Sequence, residues 1–280
     1  MKPEEIRRAI EKLDRIPSPS FSLNRILELA SDTESDIQKL AESIEADPAV
    51  TARVLRLANS AYYGVARDVD SVTRAIVVVG YKNILALATC AALAPAFQGR
   101  DPWLDRGALW IHSCATAEAS RIVALHAGLD PALAHVSGLL RDFGIVVLSE
   151  VMREAYAPLL REVRAGRGLL SQLEREAFGI DHAAAAGLLF ERWRLPRRLI
   201  AASVCQEDPD RDPTGLARVA ALAAGVAARA GFPGPLAGDG ADAQGAGARV
   251  ALGLDEAALE KIAEEVEERR EAIEQLGRVG

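Results

Sequence analysis

The sequence predicts an all-α protein, and three observations support that prediction. Hydrophobic residues make up 50% of the chain but aromatic residues only 5%. Much of the apolar content is alanine and leucine, which favour helices, whereas aromatic and β-branched residues favour sheets. Apolar residues recur at helical spacing, in segments of about ten to twenty residues. Proline, glycine, aspartate and serine separate those segments, as they do at helix ends. At 280 residues, the chain is long enough for one large domain or two modest ones.

Local start and stop signals define the helices of the first part of the chain. A helix over 3–14 stops before Pro17 and Pro19, which bias their neighbours toward extended conformations. The buried stripe of the next helix is formed by Leu23, Ile26, Leu27 and Ala30. The helices that follow are predicted to be capped by Asp36, by Asp47 with Pro48 at the first helical position, and by Ser71. A largely buried helix, "YKNILALATCAALAPAF", begins after Gly80.

A linker over 98–105, "QGRDPWLD", precedes a second series of helices. The first of these ends at a Gly128 cap, and Asp130-Pro131 opens the next, which runs through "HVSGLLRDFG". Further helices are predicted over "LLSQLEREAFG", "DHAAAAGLLFERWR", "RRLIAASVCQ" and "GLARVAALAAGVAARAG". The resulting division is a helical subdomain at 1–100, a second at 101–230, a flexible Gly/Ala-rich loop at 231–249 and an amphipathic C-terminal helix at 250–280.

The C-terminal helix, predicted over 255–277, has two interpretations. One stripe of it carries Leu259, Ile262, Val266, Ile273 and Leu276. A helix docked on its own domain is one source of such a stripe, and it is the favoured one. The other is a short heptad seam joining a homodimer, in which Arg269 fills one slot.

Charge, cysteine content and hydropathy exclude several classes of protein. The net charge is −7, whereas nucleic-acid-binding modules usually carry a basic excess. A helix-turn-helix in "TRAIVVVGYKNILALA" is disfavoured, because its would-be recognition helix offers only Lys82 as a base. Cys90, Cys114 and Cys205 are widely spaced, which suits a reduced cytosolic protein. The apolar run at 84–97 is shorter than the roughly 20 residues that span a bilayer, and the charged N-terminus is no signal peptide, so we expect a cytoplasmic protein.

The most distinctive block is "DPAVTARVLRLANSAYYG" followed by "VDSVTRAIVVVGYKNILALA". Asn59 and Ser60 are suited to hydrogen-bonding the last carbonyls of a helix, and Gly64 supplies backbone freedom. Tyr62 and Tyr63 offer amphipathic surfaces, one of which could reach a groove. Physical reasoning alone favours a structural turn here over a binding site, and both interpretations stay open.

This block closely resembles the start of the HDOD family, bacterial regulatory domains that are similar in fold to HD phosphohydrolases. "IPSPS" before it, and "LWIHS", "GLLRDFG", "AFGIDHAAAAGLLFERWRLP" and "RLIAASV" after it, follow the family's order and spacing over most of residues 15–230. The resemblance implies an HD-domain-like multi-helical fold, with an N-terminal helical subdomain at 1–100 and an HD-like subdomain at 101–230.

The resemblance also implies which residues stand at metal positions. In catalytic HD proteins a first His, a His-Asp pair and a later Asp bind divalent metal, and the HD-GYP phosphodiesterases add further histidines. His112 matches the first His, Asp142 the Asp of the pair, and His182 a position that is His in HD-GYP chains, but Arg141 replaces the paired His. The His-His pair that often follows is Cys205-Gln206 here, and the last Asp would fall near Ala224.

The remaining three ligand-type residues leave two interpretations of this pocket. Three ligands can suffice for a catalytic zinc site. Against that, Arg141 is permanently cationic and opposes a divalent ion nearby, although it need not face the same way as its helical neighbour Asp142. We therefore expect no bound metal, no cofactor and no catalytic residue, with His112 and His182 as hydrogen-bonded core histidines and Asp142 pairing or capping.

The function implied by the resemblance is a non-catalytic signalling or regulatory module that acts through protein–protein interaction. Its partners would be unidentified signalling proteins, contacted near "NSAYYG" and the vestigial metal pocket. The alternative is a residual metal-dependent phosphohydrolase or cyclic-dinucleotide phosphodiesterase of the HD superfamily. A third interpretation is a domain that binds a nucleotide without turning it over.

Overall fold

Helices account for all the regular secondary structure in the described part of the chain. The computed structural model describes residues 3–13, 16, 21–30, 32, 36–60, 63, 69–99, 101–236 and 241–278. The first helices are α1 (Pro3–Glu11), α2 (Phe21–Ala30), α3 (Ile37–Glu45), α4 (Pro48–Ala58), α5 (Val72–Val79) and α6 (Tyr81–Phe97). They are followed by α7 (Arg106–Ala127), α8 (Pro131–Leu140), α9 (Phe143–Met152), α10 (Ala157–Arg164), α11 (Leu170–Phe178) and α12 (His182–Arg192). The last are α13 (Arg197–Val204), α14 (Leu216–Arg229), α15 (Ala241–Ala251), α16 (Glu256–Glu267) and α17 (Arg270–Arg278). The predicted all-α class is confirmed.

The predicted helix caps are present. The side chains of Asp36, Asp47, Ser71 and Asp130 each accept a hydrogen bond from a backbone N–H in the first turn of the following helix. Gly128 closes α7 in the left-handed conformation at φ 68°, which glycine adopts without a steric penalty. Such caps contribute about 1 kcal/mol each and depend only on neighbouring residues, which is why the sequence predicts them well.

In the first part of the chain, α6 is the central helix. It packs against α2, α4 and α5, and it also contacts α7 and α8 of the second part. Helix α1 does not pack around α6 in this way. It packs on α12 and α9 of the second part. It ends at Glu11 rather than at the predicted residue 14, and Arg192 donates hydrogen bonds to the carbonyls of Ile10, in its last turn, and of Leu13, just beyond it. A contact distant in sequence therefore satisfies carbonyls at the end of this helix.

The core of the second part is built around α7 and α12. Helix α7 packs against α8 and α14, while α12 packs against α9 and α13. A cluster of aromatic rings joins α6, α7, α9 and α12, with centroids 4.8 to 5.9 Å apart; it consists of Phe97, Trp110, Phe143, Phe190 and Trp193. Although aromatic residues are scarce, these five are concentrated at one junction, where offset and edge-to-face pairs add to the apolar burial.

One segment has the length and hydropathy of a membrane span. It covers Pro131–Ala155, and 94% of its most apolar window is buried inside the protein. No other helix of 18 or more residues among the described residues meets the same test. Because α8 and α9 pack against α7 and α12, the segment's apolar character is accounted for by its position in the core.

The C-terminal part differs from the sequence-based expectation in two respects. Residues 241–249 of the predicted loop are helical, within α15, which packs on α14; alanine-rich segments have high helix propensity. The single predicted helix over 255–277 is two helices, α16 and α17, separated at Glu268–Arg269. The break directs α17 onto α7, where the Trp110 indole N–H donates to the Leu276 carbonyl at 3.0 Å. The stripe Leu259, Ile262, Val266 and Ile273 is buried within the chain itself, as expected of docked helices.

Candidate functional site

The residues at the HD metal positions come from three places in the fold. His112 lies on α7, Arg141 and Asp142 join α8 to α9, and His182 is the first residue of α12. Gly144 allows α9 to approach the start of α12, because a Cβ there would collide with the carbonyl oxygen of His182. Asp142 occupies the N-cap position of α9 but caps no backbone N–H with its side chain. Its carboxylate is instead turned into the pocket.

Asp142 is engaged by a cation and by a histidine. Arg141 Nη1 donates to Asp142 Oδ1 at 2.5 Å, and His112 Nε2 lies 3.5 Å from Asp142 Oδ2. Arg141 and Asp142 are each only 3% exposed. The sequence allowed Arg141 to face away from its neighbour on one continuous helix. In the structure α8 ends at Leu140, so the two residues occupy a helix junction and both side chains point inward.

The charges around Asp142 keep its carboxylate ionised. Burial by itself would raise the pKa of Asp142, but the positive charge of Arg141 and those of His112 and His182 outweigh it, so the pKa is lowered overall. A buried carboxylate is tolerated only when it is paired and hydrogen-bonded in this way. Arg141 therefore compensates a charge that in a metal site would face the ion.

His112 uses both of its ring nitrogens within the protein. Its Nδ1 donates to the Phe232 carbonyl at 2.8 Å, since a carbonyl can only accept. Its Nε2 lies 3.4 Å from the Thr116 hydroxyl, in addition to its approach to Asp142. The ring is thus a buried, hydrogen-bonded part of the core.

His182 belongs to a second network that the sequence did not reveal. Its Nδ1 donates to Glu174 Oε2 at 2.6 Å, its backbone N–H donates to the same oxygen at 2.8 Å, and the Tyr156 hydroxyl donates to Oε1. Burial alone would lower the pKa of His182, but the negative charge of Glu174 and its hydrogen bond raise that pKa to about 9. The buried Glu174 carboxylate therefore favours the protonated form of His182 and fixes the orientation of its ring.

The substituted positions add no ligand to the pocket. Cys205 ends α13 and is partly exposed, and burial raises its thiol pKa. Gln206 is buried, and neither polar atom of its side-chain amide has a hydrogen-bond partner among the described residues. Ala224 is buried on α14 and has no ligating group.

The residues present do not fit a divalent metal ion. Across the described ranges, no group of three or more His, Cys, Asp or Glu side chains converges closely enough to hold one. His112 Nε2 and Asp142 come together, but Arg141, which stands where HD enzymes have a histidine, bonds the same carboxylate. Moreover, the cations Arg141 and His182 both act on Asp142. A metal site normally brings anionic ligands together, and this pocket brings cations to a single carboxylate.

The Asn59 side chain joins backbone groups on either side of the signature segment. Asn59 Nδ2 donates to the carbonyls of Leu55 and Val69, and Asn59 Oδ1 accepts from the Val69 N–H at 2.7 Å. The Tyr63 N–H donates to the Ser60 carbonyl, and the Tyr63 side chain packs against the core. Tyr62 and Gly64 lie outside the described residues. Asn59 therefore ties the end of α4 to the start of the segment before α5.

The two remaining histidines differ in environment. His126 is exposed near the end of α7. His135 on α8 is buried, and its Nε2 lies 3.6 Å from the Cys90 sulfur on α6. Sequence reasoning missed this second polar cluster, because its members come from helices far apart in the chain and show no motif.

Comparison with protein families identifies the chain. The sequence model of the HDOD domain matches residues 16–209. The chain belongs to the HDOD family. A curated relative from Treponema pallidum, described as an uncharacterized protein, is 27% identical over 195 residues. That alignment covers 68% of this HDOD chain and 37% of the relative, so the chain spans well under half of the relative's length.

Solved structures show the same fold. An HDOD domain protein of unknown function from Geobacter sulfurreducens has a TM-score of 0.78 at 23% identity, with 98% of each chain covered. A protein from Marinobacter aquaeolei, provisionally named a signal transduction protein, also has a TM-score of 0.78 at 24% identity, covering 99% of this chain and 65% of that one. A provisionally named phosphohydrolase from Shewanella amazonensis has a TM-score of 0.74 at 22% identity, covering 98% and 97%. These likenesses establish the HDOD architecture.

Proposed function

We propose that this HDOD protein is a non-catalytic regulatory module of the bacterial cytoplasm that acts by binding other proteins. The observation that carries the proposal is the Arg141 guanidinium 2.5 Å from the Asp142 carboxylate, in a pocket where both side chains are 3% exposed. The arginine occupies the position of a metal-binding histidine in HD enzymes, and it satisfies the aspartate that a metal would need.

Electrostatics support this interpretation. A guanidinium stays protonated throughout the physiological range. A divalent ion about 4 Å from that charge would be repelled by about 8 kcal/mol at an effective dielectric constant of about 20. His182, with a pKa of about 9, adds a second positive charge near the same carboxylate. Without a bound ion, the pocket has no group that could lower the pKa of a water molecule for attack on a phosphoester.

The test is a metal and turnover measurement on the full chain. After incubation with manganese, iron or zinc and desalting, we expect well under one ion per ten chains. We also expect no hydrolysis of bis-p-nitrophenyl phosphate or of cyclic di-GMP. Stoichiometric metal, lost together with phosphodiesterase activity in His112→Ala and Asp142→Ala, would instead establish the residual phosphohydrolase. Cyclic di-GMP that binds in calorimetry but is not cleaved would support the nucleotide-binding alternative.

An exposed apolar surface on α5 supports action through protein contact. The side chains of Val77 and Val78 are 70% and 52% exposed, just before Gly80. Exposed apolar patches on soluble domains commonly mark interaction surfaces. We expect a Val77→Lys/Val78→Lys variant to lose a partner that the wild-type chain captures from cells. The matched control is Val250→Lys on α15, since Val250 is 72% exposed at a different surface. Equal capture by all three proteins would exclude the α5 surface.

A further inference from the structure

A cavity separate from the vestigial metal pocket lies where the two parts of the chain meet. It has a volume of about 470 Å³ and is bounded by residues of α6, α7, α8 and α17. Pockets of roughly 300 to 1,000 Å³ commonly accept small molecules. The reactive and charged groups on its wall are Cys90, Cys114, Glu118, Arg121, His135 and Arg269.

The two cysteines on this wall come from neighbouring helices. Cys90 lies on α6 and Cys114 on α7, two helices that pack against each other, and a hydrogen-bonding interaction between the thiols shifts the pKa of each. Each residue is only 1% exposed, yet both line the cavity. The cavity therefore adjoins both cysteines, although each residue is almost entirely shielded from bulk solvent.

The environment shifts the pKa values of the two thiols in opposite directions. The hydrogen bond from Cys114 lowers the pKa of Cys90; burial opposes this, and His135 lowers the pKa further, to about 6. Burial and the neighbouring Cys90 raise the pKa of Cys114 well above its usual value. The thiolate is the nucleophilic form of cysteine, and Cys90 is the sulfur that lies 3.6 Å from the His135 ring. Cys90 is therefore the sulfur suited to attack and Cys114 the one suited to resolve an intermediate.

His135 provides an independent sign that the cavity accepts a molecule. Its Nε2 lies 3.6 Å from the Cys90 sulfur, while its Nδ1, buried in a side chain that is 3% exposed, has no hydrogen-bond partner among the described residues. The ring also lines a smaller adjoining cavity of about 100 Å³. Most buried polar atoms are satisfied, and this nitrogen is free to hydrogen-bond a polar molecule that enters.

The charged residues of the wall hold a net positive charge. Glu118 accepts from Arg121 at 2.7 Å and from Arg269 at 2.5 Å. One carboxylate between two guanidinium groups leaves one positive charge. Glu118 itself opposes ionisation of Cys90, and the two arginines offset its charge. The net positive charge of the wall is therefore compatible with a Cys90 thiolate.

We propose that Cys90 and Cys114 form a reversible disulfide when hydrogen peroxide enters this cavity. The Cys90 thiolate attacks one peroxide oxygen, so that an S–O bond forms and the O–O bond breaks. The departing hydroxide takes the proton that Cys90 shares with His135, and leaves as water. Cys114 then loses its proton and attacks the Cys90 sulfur, so that an S–S bond forms and the S–O bond breaks, releasing a second water. Two thiols are oxidised and one peroxide is reduced.

The disulfide would join α6 to α7, across the boundary between the two parts of the chain. In the reduced protein these helices are held by packing and by the contacts of α17 on both. A covalent link there fixes their relative position. The modification does not depend on the proposed absence of catalysis in the metal pocket.

The experiment treats the folded, reduced full chain with a small molar excess of hydrogen peroxide, blocks remaining thiols with iodoacetamide, and measures intact mass and tryptic peptides. We expect a loss of about 2 Da before blocking, a linked peptide containing Cys90 and Cys114, an unchanged Cys205, and full reversal by dithiothreitol. Cys205→Ser should behave like the wild type. Cys114→Ser should stop at a sulfenic acid on Cys90, a gain of about 16 Da that dimedone traps.

A second variant tests His135 without removing either thiol. His135→Asn should slow the oxidation of Cys90 at least about threefold near neutral pH, with an unchanged circular dichroism spectrum. The proposal is overturned if, after peroxide treatment of the folded protein, Cys90 and Cys114 both react with iodoacetamide once the chain is unfolded in urea. It is equally overturned if the linked peptide forms only when peroxide is added to protein already unfolded in urea, because the pair would then be an inert part of the core.

Discussion

The vestigial metal pocket and the thiol cavity are both built on α7, which contributes His112 to one and Cys114 to the other. Positions two apart on a helix point about 200° from each other, so the two clusters lie on opposite sides of the same helix. Around Asp142, Arg141 and His112 lie against the carboxylate, and His182 is bonded to Glu174. Around His135, a cavity remains open and one buried nitrogen has no partner in the described structure.

The difference teaches how the partners of a buried polar group decide what its removal costs. Where a metal ligand is replaced by a cation that neutralises the remaining carboxylate, the polar cluster becomes part of the core, and its removal should cost stability. Where a buried group keeps an unused hydrogen-bonding atom beside a cavity, stability gains little from it. Such a group is better explained by reactivity or binding.

The largest expected effect comes from breaking the Arg141–Asp142 pair. Arg141→Ala leaves a buried carboxylate without its main compensating charge, and we expect a loss of about 3–5 kcal/mol in the free energy of unfolding, measured by urea denaturation. Removing both charges, in Arg141→Met/Asp142→Leu, should cost less than the single change. The control is Arg167→Ala, whose partner Glu162 is exposed, and its unfolding midpoint should hardly move. Equal losses in Arg141→Ala and in the control would show that the pocket holds no buried charge.

The pH dependence of stability tests the His182–Glu174 pair. The pKa of His182 is about 9 in the folded chain, above its ordinary value of 6.5. A raised pKa gives stability that is fully present below 6.5 and is lost as the pH rises through 9. We therefore expect this pair to contribute about 3 kcal/mol at pH 6 and little above pH 9.

The measurement compares the unfolding free energy of the wild type with that of Glu174→Gln at each pH. The comparison is needed because the pKa of Cys90 is lowered to about 6, so Cys90 makes both proteins more stable as the pH rises. The difference between their unfolding free energies should shrink as the pH rises. Glu162→Gln, at an exposed pair, should leave the wild-type slope unchanged. A difference that stays constant from pH 6 to above 9 would show that His182 is not charged by Glu174.

Sequence reasoning succeeded where the cause is local and failed where it is tertiary. The caps at Asp36, Asp47 and Asp130 depend on a side chain and the next few N–H groups, and they were predicted correctly. The carbonyls at the end of α1 are hydrogen-bonded by Arg192, and the break before α17 accompanies a contact of Arg269 with Glu118 on α7. The spacing of residues in the sequence predicts neither the contact of Arg192 with α1 nor that of Arg269 with Glu118.

The same distinction applies to the sites. The resemblance placed His112, Arg141, Asp142 and His182 by their motifs, but not the orientation of Arg141, which depends on where α8 ends. Glu174 lies in an ordinary amphipathic helix and has no motif of its own. The thiol cavity takes Cys90, Cys114 and His135 from three helices, and their widely separated positions gave no signal of proximity.

The smallest expected effect is the difference in stability between two variants, His112→Leu and His135→Leu. His112→Leu removes the hydrogen bond to the Phe232 carbonyl and the contacts of Nε2 with Thr116 and Asp142. We therefore expect the free energy of unfolding to fall by about 1–3 kcal/mol. His135→Leu removes a ring whose Nδ1 already lacks a described partner. Its cost should stay under about 1 kcal/mol, because a buried unsatisfied atom is replaced by an apolar group. Urea denaturation of both variants at pH 7 measures the contrast. If His135→Leu cost as much as His112→Leu, the unpartnered Nδ1 of His135 would not lower the cost of removing that ring, and the expected difference between the two histidines would be wrong.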